Sequence, residues 1–363
     1  MRILIYLSHP AQFHFFRHTV NILKGKGHLI YTLTKTKDVL SHLLDAEGWE
    51  YHNILPKVRG KSRFSIIWSL ILRDLKILSF ARRNKIELLM GSDSSLSHVG
   101  KLLNIPCVTT LEDDYEVIRN LARLTYPFTS HILVPDVCDV GKWKSKKIGY
   151  PAYMKLAYLH PRYFIPDRSK AGVDTNIPFF LLRLSGLSAH HDFGIEGINM
   201  DLLHKIIALI GTKGKIFISS EETLPVFFQK YQLAVPVSDI HHTLSFATLL
   251  VCDSQSMAME AAMLGVPGIR ISSFSGRISV LEELEKKYQL TYGFQPDQEN
   301  EVLGKIAELL ETPDLKNVFA ERRKKMLSDK IDVTAFLVWF IENYPRSITI
   351  LKEKTDYCTI FLN

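Results

Sequence analysis

The chain has 363 residues, 46% of them apolar and 23% charged, with a formal net charge of +7. That is the profile of a globular protein large enough for two hydrophobic cores, and it excludes fibrous, low-complexity and disordered chains. The apolar runs fall far short of the about eighteen residues a spanning helix needs, residues 1–7 lack a signal-peptide pattern, and four scattered cysteines (Cys107, Cys138, Cys252, Cys358) contain no CxxC pair. The expectation is a cytosolic protein with reduced thiols and neither a disulfide framework nor a thiolate zinc site.

In chain order, 2–8 reads as a buried strand and 13–26 as a helix closed by Gly27. A strand over 28–34, a helix over 38–47 and a strand over 51–55 follow. A long helix spans 62–84, with apolar positions at Phe64, Ile67, Leu70, Ile71, Leu75 and Leu78. Its Arg73, Lys76, Arg82 and Arg83 allow an interfacial amphipathic helix, but in an alternating α/β chain a core-facing crossover is the expected form. Strands at 88–90 and 107–110 bracket a helix over 94–103. From 126 to 167 the periodicity weakens and Pro, Tyr and Lys accumulate, which reads as an interdomain crossing. A second alternating set follows, with strands at 179–184, 215–219, 249–252 and 268–271 and helices at 201–210, 224–231, 240–247 and 299–311. The expected fold is α/β, with two doubly wound, Rossmann-like parallel-sheet domains at 1–165 and 166–335 facing across a cleft, and a helical tail at 336–363.

The most informative stretch is 249–270, LLVCDSQSMAMEAAMLGVPGIR. A buried strand leads to Asp253 or Ser254, either of which can cap a short helix that Gly265 closes. The amides at Ser254, Gln255 and Ser256 then face the carboxyl end of the strand, where a diphosphate gains hydrogen bonds and the positive end of the helix dipole. Glu260, further along the helix, is placed to accept from ribose hydroxyls, while Ala258, Ala261 and Ala262 let the helix lie close to the sheet. The plain alternative is an amphipathic helix with an exposed glutamate.

Arg183 follows the apolar run 179–182, where a guanidinium can pair with a β-phosphate; its structural alternative is an ion pair with Asp192 or Glu196. His190, His191 and Asp192 lack a third ligand at metal spacing, so a substrate-loop role is preferred. Asp93 and Glu112 lie at the ends of neighbouring strands. The basic clusters KWKSKK (142–147) and ERRKK (321–325) are short and not interleaved with aromatics, so they read as solvated faces. Were one functional, a membrane surface carrying a lipid-linked acceptor fits better than nucleic acid. Neither GxGxxG nor GxxxxGK[ST] follows the first strand, which argues against a dinucleotide oxidoreductase and a P-loop NTPase.

Four segments carry a resemblance: SHPAQFHFF, GSDSSLSHVGKLLNIPCVTTLED, RLSGLSAHHDFGIEGI and DSQSMAMEAAMLGVP. Over its whole length the chain resembles the GT-B superfamily of sugar-nucleotide enzymes. Within that superfamily it is similar to an archaeal and bacterial domain-of-unknown-function family related to UDP-N-acetylglucosamine 2-epimerases. The resemblance implies diphosphate binding at Ser254, Gln255 and Ser256 and ribose binding at Glu260. It also implies a general base on the acceptor hydroxyl in the loop after the first strand, for which His14 is chosen over His9. In the epimerases an Asp and a Glu at positions resembling Asp93 and Glu112 carry out proton removal and leaving-group chemistry. The chain departs from them at Arg183, where they carry a histidine-bearing loop, and after Glu112, where Ala-Gly-Leu-Arg is missing. The function implied is a metal-independent glycosyltransferase needing no cofactor. It would pass sugar from a UDP-sugar donor to a saccharide or lipid-linked acceptor in surface polysaccharide or glycolipid synthesis, in the cytoplasm with peripheral membrane contact allowed. A UDP-N-acetylhexosamine 2-epimerase and a noncatalytic sugar-nucleotide binder are the alternatives.

Overall fold

A computed structural model describes residues 1–35, 38–55, 63–185, 197–354 and 356–362. The chain divides into two compact units, one formed by 1–158 with 330–363 and the other by 159–329. These edges lie a few residues before the sequence boundaries at 165 and 335.

The first unit alternates β1 (Arg2–Leu7), α1 (Pro10–Gly25), β2 (Leu29–Lys35), α2 (Asp38–Ala46), β3 (His52–Leu55), α3 (Arg63–Arg83), β4 (Leu88–Gly91), α4 (Ser94–Leu103), β5 (Cys107–Thr110), α5 (Arg119–Thr125), β6 (His131–Pro135) and β7 (Lys147–Tyr150). Among the described residues these strands form a parallel sheet in the order β3-β2-β1-β4-β5-β6-β7. Ile3 to Leu7 are fully buried, as expected of a parallel strand covered on both faces. Pro10 opens α1, where its missing N–H costs nothing, and His9 caps the helix by accepting from the Ala11 amide. Phe13, Phe15, Phe16, Val20 and Leu23 of α1 fill the core.

The chain passes between units within α6 (Leu156–Leu159). The second unit then runs β8 (Phe179–Leu184), α7 (Met200–Ile210), β9 (Lys215–Ser220), α8 (Ile240–Phe246), β10 (Leu249–Cys252), α9 (Gln255–Leu264), β11 (Gly268–Ile271), α10 (Ser279–Lys286), β12 (Thr291–Phe294), α11 (Glu299–Glu311) and α12 (Leu315–Asp329). Its parallel sheet has the order β12-β11-β10-β8-β9. Finally α13 (Val333–Glu342) and α14 (Arg346–Glu353) return to the first unit. Asp332 caps α13 by accepting from the Ala335 amide at 2.9 Å, Thr334 Oγ1 donates to the Ala157 carbonyl at 2.8 Å, and α13 packs against α1. The α/β reading holds in both units, each a doubly wound parallel sheet.

Three sequence expectations are corrected. Residues 126–167 are not simply a crossing, because β6 and β7 complete the first sheet there. Residues 224–231 form only a 3₁₀ turn over Val226–Tyr231. The long helix α3 does cross from β3 to β4 and buries Ile77 and Ala81, yet Ile67, Ile71 and Leu75 stay exposed, so the core-facing expectation fails for much of its length. The Phe64 side chain lies outside the described part.

The basic clusters are also more engaged than expected of solvated faces. Lys146 donates to the carbonyls of Tyr126, Pro127 and Thr129, and Lys147 to those of Asp136 and Cys138. Arg322 and Arg323 reach the Gln289 and Met263 carbonyls. These cations close backbone turns and helix ends that would otherwise leave acceptors unsatisfied.

Candidate functional site

In the second unit the strand order reverses between β8 and β10, and ligands of open α/β sheets bind at the carboxyl ends of strands flanking such a switch. β10 ends at Cys252, and Ser254 caps α9 by accepting from the Met257 amide at 3.4 Å. Asp253 does not cap. Its carboxylate instead accepts from the amide and hydroxyl of Ser185, both at 2.7 Å, which ties the end of β8 to this turn. The first-turn amides of Gln255 and Ser256 have no acceptor within the helix by its geometry, and both residues are partly open to solvent. At the other end Gly265 adopts φ 73°, the left-handed cap that glycine favours. Ala258, Ala261 and Ala262 are fully buried, and glycine at position 268 of β11 leaves space for α9.

Strand register places Gly293, Arg270, Cys252, Arg183 and Ser219 in one row across the sheet. Side chains in such a row share a face, so two arginines flank the residue from which the α9 turn springs. Arg183 donates to Ser219 Oγ at 3.0 Å and pairs with Glu221 at 2.5 Å, while its Nε is buried without a partner. Its other expected partners, Asp192 and Glu196, lie outside the described residues with His190 and His191. Arg270 is fully buried, donates Nη1 to Gln255 Oε1 at 2.5 Å, and has no partner for Nε or Nη2. Gln255 Nε2 in turn donates to Ser272 Oγ at 2.9 Å. Burial pushes the Cys252 thiol up to about 12, with both guanidiniums pulling the other way. Sequence reasoning passed over Arg270, although an arginine inside the apolar run GIRI was a visible signal, since arginine is seldom fully buried.

Glu260 is not the exposed glutamate of the plain alternative. It is 8% exposed, with Oε1 at 3.4 Å from Nε2 of the buried His241. His241 was not anticipated from the sequence.

In the first unit the reversal lies between β1 and β4. Gln12 binds the two strand ends together, accepting from the Ser8 amide at 2.7 Å and donating to Ser92 Oγ. The adjacent Asp93 caps α4 through the Ser95 amide at 2.9 Å and pairs with Arg73 at 3.1 Å. Glu112 follows β5, the neighbour of β4, and its Oε1 meets the nearly buried Lys155 at 2.7 Å. Glu112 Oε2 is buried without a hydrogen-bond partner. Burial, helped by Glu112 and opposed by Lys155, raises the Asp113 carboxyl to about 6. His14 lies on α1, 9% exposed, with its ring stacked on Tyr158 at 5.1 Å and edge-on to Phe13 at 5.3 Å. The structure thus joins the turn after β1 to the Asp93 strand end and sets Glu112 just past the end of the next strand. Among the described residues no group of three or more His, Cys, Asp or Glu side chains is arranged to hold a metal.

The chain is similar in fold to GT-B structures, among them glycosyltransferases and UDP-GlcNAc 2-epimerases, and the likeness is one of fold alone. Similar solved structures include the S. aureus MnaA–UDP complex, at 13% identity and TM-score 0.69 over 96% of this chain and 98% of that one. The UDP-GlcNAc 2-epimerase from Neisseria meningitidis bound to UDP-GlcNAc also has 13% identity and TM-score 0.69, over 97% and 100%. The spinosyn rhamnosyltransferase SpnG complexed with thymidine diphosphate has 15% identity and TM-score 0.62, over 94% and 100%. No family model matches the chain, and no curated protein matches it in sequence.

Proposed function

We propose that the protein is a glycosyltransferase that binds a UDP-sugar on its second unit and passes the sugar to a saccharide or lipid-linked acceptor, building a surface polysaccharide or glycolipid. The observation that carries this reading is the pair of arginines in register on either side of Cys252, beside a helix N-terminus at the switch point of the sheet. Ser254, Gln255 and Ser256 hold the diphosphate, Arg183 offsets charge as the nucleotide departs, and Glu260 accepts from the ribose. His14 removes the proton of the acceptor hydroxyl. Similar folds bound to UDP, UDP-GlcNAc and thymidine diphosphate support a nucleoside diphosphate ligand, and the first two support uridine.

A second reading, epimerisation at C2 of a UDP-N-acetylhexosamine, is favoured by the unpartnered buried Oε2 of Glu112 and the near-neutral carboxyl of Asp113. The ion pair and helix cap that occupy Asp93 weigh against it, because a group transferring protons at C2 must be free to approach the sugar. Heavy water separates the two chemistries. An epimerase must break C2–H, so its product carries deuterium at C2 without any acceptor, and Asp93→Asn or Glu112→Gln abolishes that exchange. A transferase leaves C2 untouched and releases UDP in step with acceptor consumption. The second pattern is expected, and deuterium at C2 without acceptor would replace transfer with epimerisation.

A further inference from the structure

The outer face of α3 is apolar where a crossover helix would ordinarily be polar. Ile67, Ile71 and Leu75 recur every fourth residue and are 57%, 43% and 57% exposed, with Trp68 beside them at 62%. At 100° per residue the exposed Arg82 falls on the same face two turns further on, followed by the exposed Arg83. The neighbouring helices extend this surface. His98 of α4 binds Asp74 of α3 at 2.9 Å and the Leu124 carbonyl of α5 at 2.9 Å, and it meets the Phe128 ring edge-on, so the three helices lie side by side. Leu102, Leu124 and Phe128 are themselves exposed.

Charge indicates what covers this face. α3, α4 and α5 each connect successive parallel strands, so their carboxyl ends lie along one edge of the sheet. Those ends carry the exposed bases Arg82, Arg83, Lys101 and Arg123, none of which is in an ion pair among the described residues. The acids Asp74, Glu87 and Glu116 are each already paired, with His98, Arg2 and Arg119. An apolar stripe bearing a tryptophan and bordered by unpaired bases has the chemistry of an anionic bilayer surface, in which the apolar side chains enter the headgroup boundary and the bases meet lipid phosphates. No helix among the described residues is long and apolar enough to cross a membrane, so the contact is one of lying on the surface. We propose that the outer face of α3, with the basic ends of α3, α4 and α5, is the surface by which this protein docks on an anionic membrane.

Co-sedimentation of the full chain with phosphatidylcholine–phosphatidylglycerol vesicles tests this, beside vesicles of phosphatidylcholine alone. Binding to the anionic vesicles is expected to weaken as salt rises through about 0.1 M. The combined variant Trp68→Ser, Ile71→Asn is expected to lose about tenfold or more in partitioning. The separate variant Arg82→Gln, Arg83→Gln, which removes two positive charges, is expected to lose about 25-fold, and it keeps the test decisive if the first does not fold. Absence of binding by the wild type, or unchanged binding by a folded variant, would overturn the proposal. So would light scattering in which the apolar variant turns a dimer into a monomer without altering vesicle binding, because a second copy would then cover the face.

Discussion

Replacing His14 by alanine is expected to lower the rate of sugar transfer by about 10² to 10⁴-fold, the usual contribution of a general base, while UDP affinity stays near the wild-type value. The imidazole is held on α1 by Tyr158 and Phe13, within a core that includes Phe15 and Phe16. Such packing fixes the ring, and a base must be fixed to act on one hydroxyl. It also means that alanine leaves a void, so the comparison needs a melting curve and a second variant, His14→Asn, that retains more of the volume and a polar edge without a titrating base. A folded His14→Asn enzyme with undiminished turnover would remove the assignment, and the same loss on changing the exposed cap residue His9 instead would move the base to the start of the helix.

Glu260→Ala is expected to weaken UDP binding by about 1 to 3 kcal/mol, the loss that follows when hydrogen bonds to a charged, buried acceptor disappear. Glu260 sits on α9 about one and two-thirds turns beyond its cap and is oriented by His241, so its carboxylate is held in place before any ligand arrives. Removing it also leaves His241 without that neighbour, and some loss of thermal stability should accompany the loss of affinity. Calorimetry on the folded variant separates the two effects. Unchanged UDP affinity together with reduced stability would make Glu260 a packing partner of His241 and no ribose ligand.

The α9 segment was legible in the sequence because each of its signals is local. Strand, cap, helix and glycine stop follow one another within 249–265, and the structure repeats that order down to Ser254 as the cap. β6 and β7 were hidden because each is short and sits among prolines, tyrosines and lysines whose usual meaning is a loop. Arg270 and His241 could not be connected to the site from sequence. Arg270 on β11 reaches Gln255 at the start of α9, and His241 meets Glu260 from another helix, contacts that only tertiary register creates. The error on α3 has the opposite origin. Its apolar spacing was read correctly, but periodicity gives the spacing of a stripe and says nothing about which way it faces once the helix is laid on the sheet.

A nucleoside diphosphate is proposed to sit at the N-terminus of α9 between Arg183 and Arg270. Backbone amide NMR of the whole protein during a UDP titration tests this most directly, since amides donating to a phosphate shift strongly. The largest shifts are expected on Ser254, Gln255, Ser256 and Met257, saturating with one UDP per chain, with smaller shifts at Arg183 and Arg270. Unmoved α9 amides at saturating UDP, or shifts clustered elsewhere in the chain, would contradict it.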